Sequence, residues 1–127
     1  MYTLAISKSF TAKHFLIGGD WGAENELHSH EYKVEVRLLG PNLNEHGYLV
    51  DIVQFEALLE ALVEHYQDNV LNEQAEFEGL NPSIEHFARI FAQTIAGHLQ
   101  APNLSSIEVL IWEDDIAWAS FRRELQA

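Results

Sequence analysis

Two stretches near the start of the chain alternate apolar and polar residues, a pattern typical of β-strands with one buried face. The first runs from residue 2 to residue 14 and the second from residue 29 to residue 40. Side chains at every second position of a strand share a face. In the first strand, the apolar face is therefore predicted to carry Leu4, Ile6, Phe10, Ala12 and His14. In the second strand and the residue just before it, the apolar face is predicted to carry His28, His30, Tyr32, Val34, Val36 and Leu38.

The pattern changes to helical spacing after the turn at Gly40-Pro41-Asn42. Apolar residues then recur every three or four positions in two segments, which predicts two amphipathic helices. Asp51 is placed to cap the first helix, and Asn81 or Ser83 is placed to cap the second. The apolar positions are Ile52, Phe55, Leu58, Leu59, Leu62, Val63 and Tyr66 in the first helix, and Ile84, Phe87, Ala88, Phe91, Ile95 and Leu99 in the second.

Strand alternation returns from Ser105, and an acidic turn at Asp114-Asp115 separates two final strands. The predicted order is ββααββ, an α+β fold in which two helices cover the apolar face of a four-stranded antiparallel sheet. With 127 residues, the chain is expected to form a single domain, residues 1–127. Because the outer strands leave unpaired edges, we expect a homo-oligomer joined through strands; the alternative is a monomer with shielded edges.

Three histidines interrupt the predicted apolar faces at one end of the two strands. His14 ends the first strand, and His28 and His30 lie at the start of the second. A buried neutral imidazole needs a partner for each ring nitrogen, and one divalent ion satisfies a nitrogen on all three rings at once. Zinc accepts three such nitrogens and leaves a fourth position for water or substrate. The pattern favours a zinc site over the alternative of three unrelated histidines.

Glu113 continues the apolar alternation of Ile107, Val109 and Ile111, so a carboxyl group is predicted on a face that should be hydrophobic. A ligand would explain that position, because a carboxylate can accept two parallel N–H bonds from an aminopyrimidinone edge such as that of a pterin or guanine. The alternative is a solvated residue at the end of a strand, beside Asp114 and Asp115.

Composition narrows the choice of partners and chemistry. Twenty acidic residues against seven lysines and arginines give a formal net charge of −13, which disfavours nucleic acid and makes a highly phosphorylated substrate harder to hold. There are no cysteines, so disulfides, thiolate ligands and a cysteine nucleophile are excluded. No apolar run is long enough to span a membrane and the first ten residues do not resemble a secretory signal, so a cytoplasmic protein is expected.

Five segments together resemble the family of 6-pyruvoyltetrahydropterin and 6-carboxytetrahydropterin synthases. They follow the order and spacing of the family patterns F-x-A-x-H, L-H-G-H-x-Y-x-V, G-x-V-x-D-F and N-P-T-x-E and of a glutamate near the end. In this sequence the segments are Phe10-Thr11-Ala12-Lys13-His14, Leu27-His28-Ser29-His30-Glu31-Tyr32-Lys33-Val34, Gly47-Tyr48-Leu49-Val50-Asp51, Asn81-Pro82-Ser83-Ile84-Glu85 and Trp112-Glu113.

This resemblance implies the tunnelling fold, in which subunits form barrels that stack into a hexamer, a dimer of trimers with active sites between subunits. It further implies that His14, His28 and His30 bind Zn²⁺. Glu113 would anchor the ring of a reduced pterin such as 7,8-dihydroneopterin triphosphate. A base would then take a proton from the side chain of the bound pterin.

The sequence departs from the family pattern at the residues that carry the chemistry. The usual cysteine, four residues before H-x-H, is Glu24, and the aspartate and histidine of L-D-H-x-x-L-N are Gln67 and Asp68. Some members instead have a glutamate three residues before H-x-H, where this chain has Asn25. We therefore expect binding to persist and the reaction to differ, with Glu24 and Asp68 as an acid and base pair. The alternatives are a pterin-binding homologue without catalysis and a barrel-forming scaffold with a vestigial site.

Overall fold

The computed structural model describes residues 1–125 of the chain. Four strands and two helices follow one another in the predicted order, with short 3₁₀ turns at Gly22–Asn25, Leu71–Glu73 and Ala75–Phe77. The elements are β1 (Tyr2–His14), β2 (His28–Gly40), α1 (Ile52–Tyr66), α2 (Ile84–His98), β3 (Ser106–Trp112) and β4 (Trp118–Glu124). The ββααββ prediction is confirmed.

The four strands form one antiparallel sheet in the order β1-β2-β3-β4. The register pairs Phe10 with Tyr32 and Val36 with Val109, so the alternating apolar positions of neighbouring strands meet on one face. That face is buried and the opposite face carries mostly polar side chains, which is the one-sided burial that the alternation predicts.

Both helices begin at a side-chain cap. Asp51 Oδ1 accepts a hydrogen bond from Val53 N at 2.9 Å, and Ser83 Oγ accepts one from His86 N at 3.2 Å. Each bond satisfies a backbone N–H that has no partner within its helix. The structure thus assigns the second cap to Ser83 rather than Asn81.

Aromatic rings fill the space between the helices and the sheet. Phe87 of α2 is fully buried, and its ring lies 5.9 Å from that of Phe10, 5.4 Å from that of Tyr32 and 5.0 Å from that of Tyr66. These contacts connect β1, β2, α1 and α2 in one core. The histidines at the end of β1 and the start of β2 lie next to this core, since the rings of His14 and His30 both contact Tyr32.

The segment between α1 and α2 is mostly polar in sequence, yet part of it is buried. Its two 3₁₀ turns place Leu71 and Phe77 in the core, where both are at most 1% exposed. The same segment runs beside the outer edge of β1: Asp68 N donates to Thr11 O at 2.7 Å, and Lys13 N donates to Asn69 O at 2.9 Å. The second half of that edge is therefore covered within the chain.

Within residues 1–125, no helix combines the length and the apolar character that crossing a membrane requires.

Candidate metal centre and ligand site

Antiparallel pairing brings the three histidines together. The register pairs His14 with His28 and Ala12 with His30, so all three imidazoles project from the same face at the same end of the sheet. His28 Nε2 lies 3.0 Å from His14 Nε2 and 3.0 Å from His30 Nε2. Three ring nitrogens thus converge on one point.

His14 is the buried member of this group, with 1% of its surface exposed. Burial, and then the nearby rings of His30 and His28, lower the pKa of His14 to about 4. The ring is therefore neutral at neutral pH and has one nitrogen lone pair to offer. Its Nδ1 shares a hydrogen bond of 3.0 Å with the hydroxyl of Tyr32, which is also buried.

The hydrogen bond made by His28 Nδ1 determines which nitrogen of that ring has a lone pair available for a metal. Nδ1 lies 2.7 Å from the backbone oxygen of Glu26, which can only accept, so Nδ1 carries the proton and donates it. The lone pair is then on Nε2, the atom that faces the other two histidines. A metal-ligating histidine characteristically donates a hydrogen bond from the N–H of its other ring nitrogen to such a carbonyl.

Glu24 lies in the 3₁₀ turn before β2 and reaches the same point. Its Oε2 is 2.8 Å from His28 Nε2. The Glu24 backbone oxygen accepts from Leu16 N at 2.9 Å, which ties the turn to the residues just after β1. About half of the Glu24 side chain is exposed, 51%, so the carboxylate borders both the histidines and solvent.

Asn25 holds this turn in place through its side-chain amide. Nδ2 donates to Leu16 O and to Gly19 O, both at 3.0 Å, while Oδ1 accepts from Trp21 N at 2.6 Å. A Cβ atom at Gly19 would lie 2.6 Å from the ring of Trp21, so the loop packs closely only with glycine there. The chain therefore uses Asn25 to shape the loop that presents Glu24.

Glu113 follows directly after β3 and approaches the histidines from another side. Its Oε1 lies 3.2 Å from His30 Nε2 and 3.5 Å from His14 Nε2. Burial raises the pKa of Glu113, and the nearby charge of Glu24 adds to this, while His30 opposes it. The pairing of Lys33 with Trp112 sets this position, because it aligns the end of β3 with the start of β2.

Glu113 also lines a cleft of about 610 Å³ at this end of the sheet. The cleft borders the polar face of the sheet and the turn between β3 and β4. Its lining consists of Ser9, Glu31, Tyr32, Lys33, Trp112, Glu113, Asp114 and Asp115. A carboxyl group that borders both the histidines and a cleft of this size is placed to contact a small ligand in it.

The donor set fits a zinc ion. Among residues 1–125, the candidate ligand atoms of His14, Glu24, His28 and His30 all lie within 4.8 Å of one another. Tetrahedral zinc with bonds of about 2.0–2.1 Å requires ligand atoms about 3.3 Å apart. The observed 3.0 Å between histidine nitrogens is close to that value. The residues thus form a group able to hold a metal ion.

Comparison with known proteins identifies the family. The sequence matches the 6-pyruvoyl tetrahydropterin synthase family over residues 3–124. The chain belongs to this family. A relative from Archaeoglobus fulgidus, provisionally named a 6-carboxy-5,6,7,8-tetrahydropterin synthase, is 30% identical over 121 residues, which cover 94% of this chain and 95% of the relative. The 6-carboxy-5,6,7,8-tetrahydropterin synthase of Bacillus subtilis is 26% identical over 102 residues, 79% of this chain and 68% of that protein.

Solved structures of family members share the fold. The 6-pyruvoyl tetrahydropterin synthase of Caenorhabditis elegans superposes with a TM-score of 0.82 at 19% identity, covering 96% of this chain and 95% of that one. A Plasmodium vivax 6-pyruvoyltetrahydropterin synthase gives the same TM-score at 17% identity over 97% of this chain and 98% of that one. It is described as a catalytic-residue mutant in which alanine replaces a glutamate. The tunnelling fold expected from the resemblance is confirmed.

Asp68 lies apart from the histidine group in this member of the family. It stands at the outer edge of β1 with φ +61°, and its Oδ1 accepts from Gln67 Nε2 at 3.1 Å. Its backbone N–H is bonded to Thr11, which is three residues before His14 and so about 10 Å away along an extended strand. Within one chain, the structure brings Glu24 and Glu113 to the histidines but does not bring Asp68 there.

Two contributors to the site were missed in the sequence. Tyr32 shares strand parity with His28 and His30, so its position next to His14 was open to prediction, but its hydroxyl was not assigned a role. Asn25 gave no comparable signal, because its three hydrogen bonds depend on the path of the whole loop. Tyr32 supports His14, a candidate metal ligand, and Asn25 supports the loop that carries Glu24.

Proposed function

We propose that this protein is a zinc-dependent enzyme that acts on a reduced pterin of the 7,8-dihydroneopterin type. Carboxylate acid and base chemistry takes the place of the usual cysteine. The observation that carries the proposal is the convergence of three histidine nitrogens with two carboxylates, Glu24 at 2.8 Å and Glu113 at 3.2 Å from the nearest of them. This is a metal-ligand set bordered by groups that can exchange protons.

His14, His28 and His30 hold the zinc ion in this proposal. The neutral state of His14 and the protonated Nδ1 of His28 leave nitrogen lone pairs for the metal. When bound, zinc supplies a Lewis acid that polarises an oxygen of the pterin side chain and makes its hydroxyl proton easier to remove.

Glu24 accepts that proton. Its carboxylate lies beside the metal ligands and remains half exposed, so it can reach both a bound side chain and solvent. Burial raises the pKa of Glu113, and the negative charge of the nearby Glu24 adds to this rise. A glutamate is also the residue whose replacement defines the catalytic-residue mutant of the Plasmodium vivax protein.

Glu113 anchors the pterin ring. The amino-pyrimidinone edge of a pterin presents two parallel N–H groups, which match the two oxygens of one carboxylate. Glu113 follows β3 directly, lies between the cleft and the histidines, and is partly buried, with 32% of its side chain exposed. A ring held there places its side chain toward the metal ligands.

Asp68 acts in the site of a neighbouring subunit. Asp68 is exposed, and its segment covers the second half of the outer edge of β1, so among residues 1–125 the open sheet edges are the first half of β1 and the outer side of β4. Subunits that associate through these edges, in the hexameric arrangement of the family, would bring an Asp68 from one copy to the histidines of the next.

The test compares the zinc-loaded wild type with Glu24→Gln and Asp68→Asn. Both variants keep size and polarity, and asparagine tolerates the positive φ at position 68. Each protein is incubated with 7,8-dihydroneopterin and with its triphosphate, and products are separated by chromatography. We expect conversion by the wild type and a loss of about 100-fold or more in each variant. Glu64→Gln, an exposed carboxylate on α1, is the matched control.

Three results would count against parts of this proposal. Unchanged turnover in both variants would remove the acid and base assignment. Purified protein that takes up no stoichiometric zinc would remove the metal assignment. Tight binding of the pterin without any conversion would favour a pterin-binding homologue that has lost the chemistry.

A further inference from the structure

We propose that Gln67 is a positioning residue that orients the carboxylate of Asp68 for proton transfer. Gln67 itself has no part in the proposed function, but its role rests on that function, in which Asp68 acts in the site of a neighbouring subunit. The observation behind this inference is a pair of hydrogen bonds made by the side-chain amide of Gln67, one to β1 and one to Asp68.

The segment that carries both residues runs along the outer edge of β1. It begins where α1 ends, at Tyr66. The backbone N–H of Asp68 donates to Thr11 O at 2.7 Å, and a parallel bridge pairs Val70 with Lys13 two residues further along. The backbone of Asp68 and of the residues that follow it is therefore tied to the sheet.

The hydrogen bond to β1 determines which way round the amide of Gln67 lies. The N–H of Thr11 is 3.2 Å from one end of this amide, and a backbone N–H can only donate, so the atom that it meets is the oxygen, Oε1. The other end is then the nitrogen, Nε2, which donates to Asp68 Oδ1 at 3.1 Å. The edge of the sheet thus ensures that the carboxylate of Asp68 faces a donor.

Asp68 is held in a backbone conformation that few side chains adopt. Its φ is +61°, and among residues 1–125 it is the one non-glycine residue with a positive φ. Such a conformation is costly for L-residues, although aspartate tolerates it better than most, and it persists where the surrounding structure enforces it. The bonds to Thr11 and Gln67 provide that restraint.

The partner of the Asp68 carboxylate is uncharged. Within the part of the chain that the structure describes, Asp68 forms no ion pair with a lysine, an arginine or a histidine. A neighbouring cation strongly favours the charged form of a carboxylate, whereas a neutral amide orients the group with a weaker preference for that form. An amide therefore suits a carboxylate that has to gain and lose a proton.

Both side chains are exposed in the single chain, so packing does not hold the carboxylate in one direction. An exposed aspartate without a partner samples several side-chain rotamers. Proton transfer, however, requires the two heavy atoms to come within about 2.6–3.2 Å of each other. The hydrogen bond from Gln67 restricts the carboxylate before a neighbouring subunit presents its ligand.

A double-mutant cycle between Gln67 and Asp68 in the zinc-loaded full chain tests this role. Gln67→Leu removes both bonds of the amide, while Gln67→Glu keeps an oxygen for the Thr11 N–H and puts a second carboxylate beside Asp68. Values of kcat and KM are measured with 7,8-dihydroneopterin or its triphosphate, whichever the wild type converts. We expect kcat to fall about 10-fold or more in both variants, with KM little changed. In the Asp68→Asn background neither substitution should lower kcat further, because Gln67 acts through Asp68.

Two further measurements separate positioning from a purely structural role. In Gln67→Glu, one limb of the pH profile of kcat should move to higher pH, because a carboxyl group next to a second carboxylate releases its proton less readily. Hydrogen exchange at the Thr11 N–H, followed by NMR in the zinc-free protein, should be faster in Gln67→Leu and close to that of the wild type in Gln67→Glu. Gln54→Leu, at an exposed position of α1, is the matched control.

Failure of this inference can be told apart from failure of the proposed function. If both Gln67 variants keep the wild-type kcat while Asp68→Asn is impaired, the inference is wrong and the proposed function stands. The same conclusion follows if a Gln67 substitution lowers kcat by an equal factor with and without Asp68. Unchanged exchange at Thr11 in Gln67→Leu would also overturn the inference. If Asp68→Asn is fully active, or if the wild type converts neither pterin, the proposed function fails in that respect and this inference fails with it.

Discussion

Replacing Tyr32 with phenylalanine tests whether the histidines are organised for a metal. The Tyr32 hydroxyl and His14 Nδ1 share a hydrogen bond of 3.0 Å in a fully buried setting. With a metal held at His14 Nε2, Nδ1 would carry the ring proton and would donate a hydrogen bond to the hydroxyl of Tyr32. This bond holds the ring in the orientation that the metal needs.

The expected magnitude follows from what the substitution removes. Phenylalanine keeps the stacked contact with Phe10 at 5.5 Å and the edge contact with Phe87 at 5.4 Å, so the core is preserved. Loss of one hydrogen bond should lower the free energy of unfolding of the metal-free protein by about 1 kcal/mol. Loss of a bond to a metal ligand should weaken zinc affinity by about 10–100-fold, or about 1.4–2.7 kcal/mol.

Competition with a chromophoric zinc chelator at neutral pH measures this affinity, and urea unfolding of the metal-free protein checks stability. Tyr48→Phe is the matched control, because Tyr48 is 60% exposed and lies outside the histidine group. A folded Tyr32→Phe protein that binds zinc as tightly as the wild type would refute the argument that this hydroxyl orients a metal ligand.

Three further changes test the loop, the acid response and the core. Asn25→Ala removes three hydrogen bonds of the Glu24 loop, so catalytic turnover should fall much more than the melting temperature; a loss confined to stability would contradict this. Although burial opposes the shift, the hydrogen bond from Tyr66 helps to lower the pKa of Glu76 below 4.5. The stability this provides is full above that value and is lost as the pH falls through the lowered pKa. Urea unfolding from neutral pH down to about pH 3 should therefore show a smaller loss of stability in Tyr66→Phe than in the wild type. Equal losses would show that the hydrogen bond from Tyr66 does not lower the pKa of Glu76. Phe87→Ala should cost about 3–5 kcal/mol of unfolding free energy, and a cost below about 1 kcal/mol would show that the aromatic core does not depend on it.

The strands and helices of the fold could be predicted because buried side chains recur in each at a regular spacing along the sequence. Burial of one face imposes a period of two on strands and of about 3.6 on helices, and the caps at Asp51 and Ser83 act over two or three residues. The predicted bounds of β1 match the structure for this reason, and α1 spans the predicted apolar positions from Ile52 to Tyr66 after its predicted cap. Parity also predicted that the three histidines share a face.

The irregular parts could not be predicted in the same way. A 3₁₀ turn of three residues has no repeat to detect, so the burial of Leu71 and Phe77 is invisible in a polar stretch. The close approach of Glu113 to His30 depends on the register between β2 and β3, which is a property of two distant segments. The side-chain amides of Asn25 and Asn72 bond to backbone groups that only the folded chain brings near.

Asp68 leads to a last prediction about assembly. Its place at the edge of β1, about 10 Å along the strand from His14, means that one chain alone does not combine it with Glu24. If each site takes Glu24 from one subunit and Asp68 from the next, two inactive variants can complement each other. Co-expressed Glu24→Gln and Asp68→Asn chains that assemble at random should have both native residues in about a quarter of their sites.

That mixed protein should regain about a quarter of the wild-type turnover, although each variant alone is inactive. Separately purified variants mixed under conditions in which subunits do not exchange provide the control, and they should stay inactive. Turnover of the co-expressed protein that remains at the level of the single variants would mean that both carboxylates serve the same subunit's site, or that Asp68 has no part in the reaction. Activity of Asp68→Asn by itself distinguishes these two explanations, because only the second leaves that variant fully active.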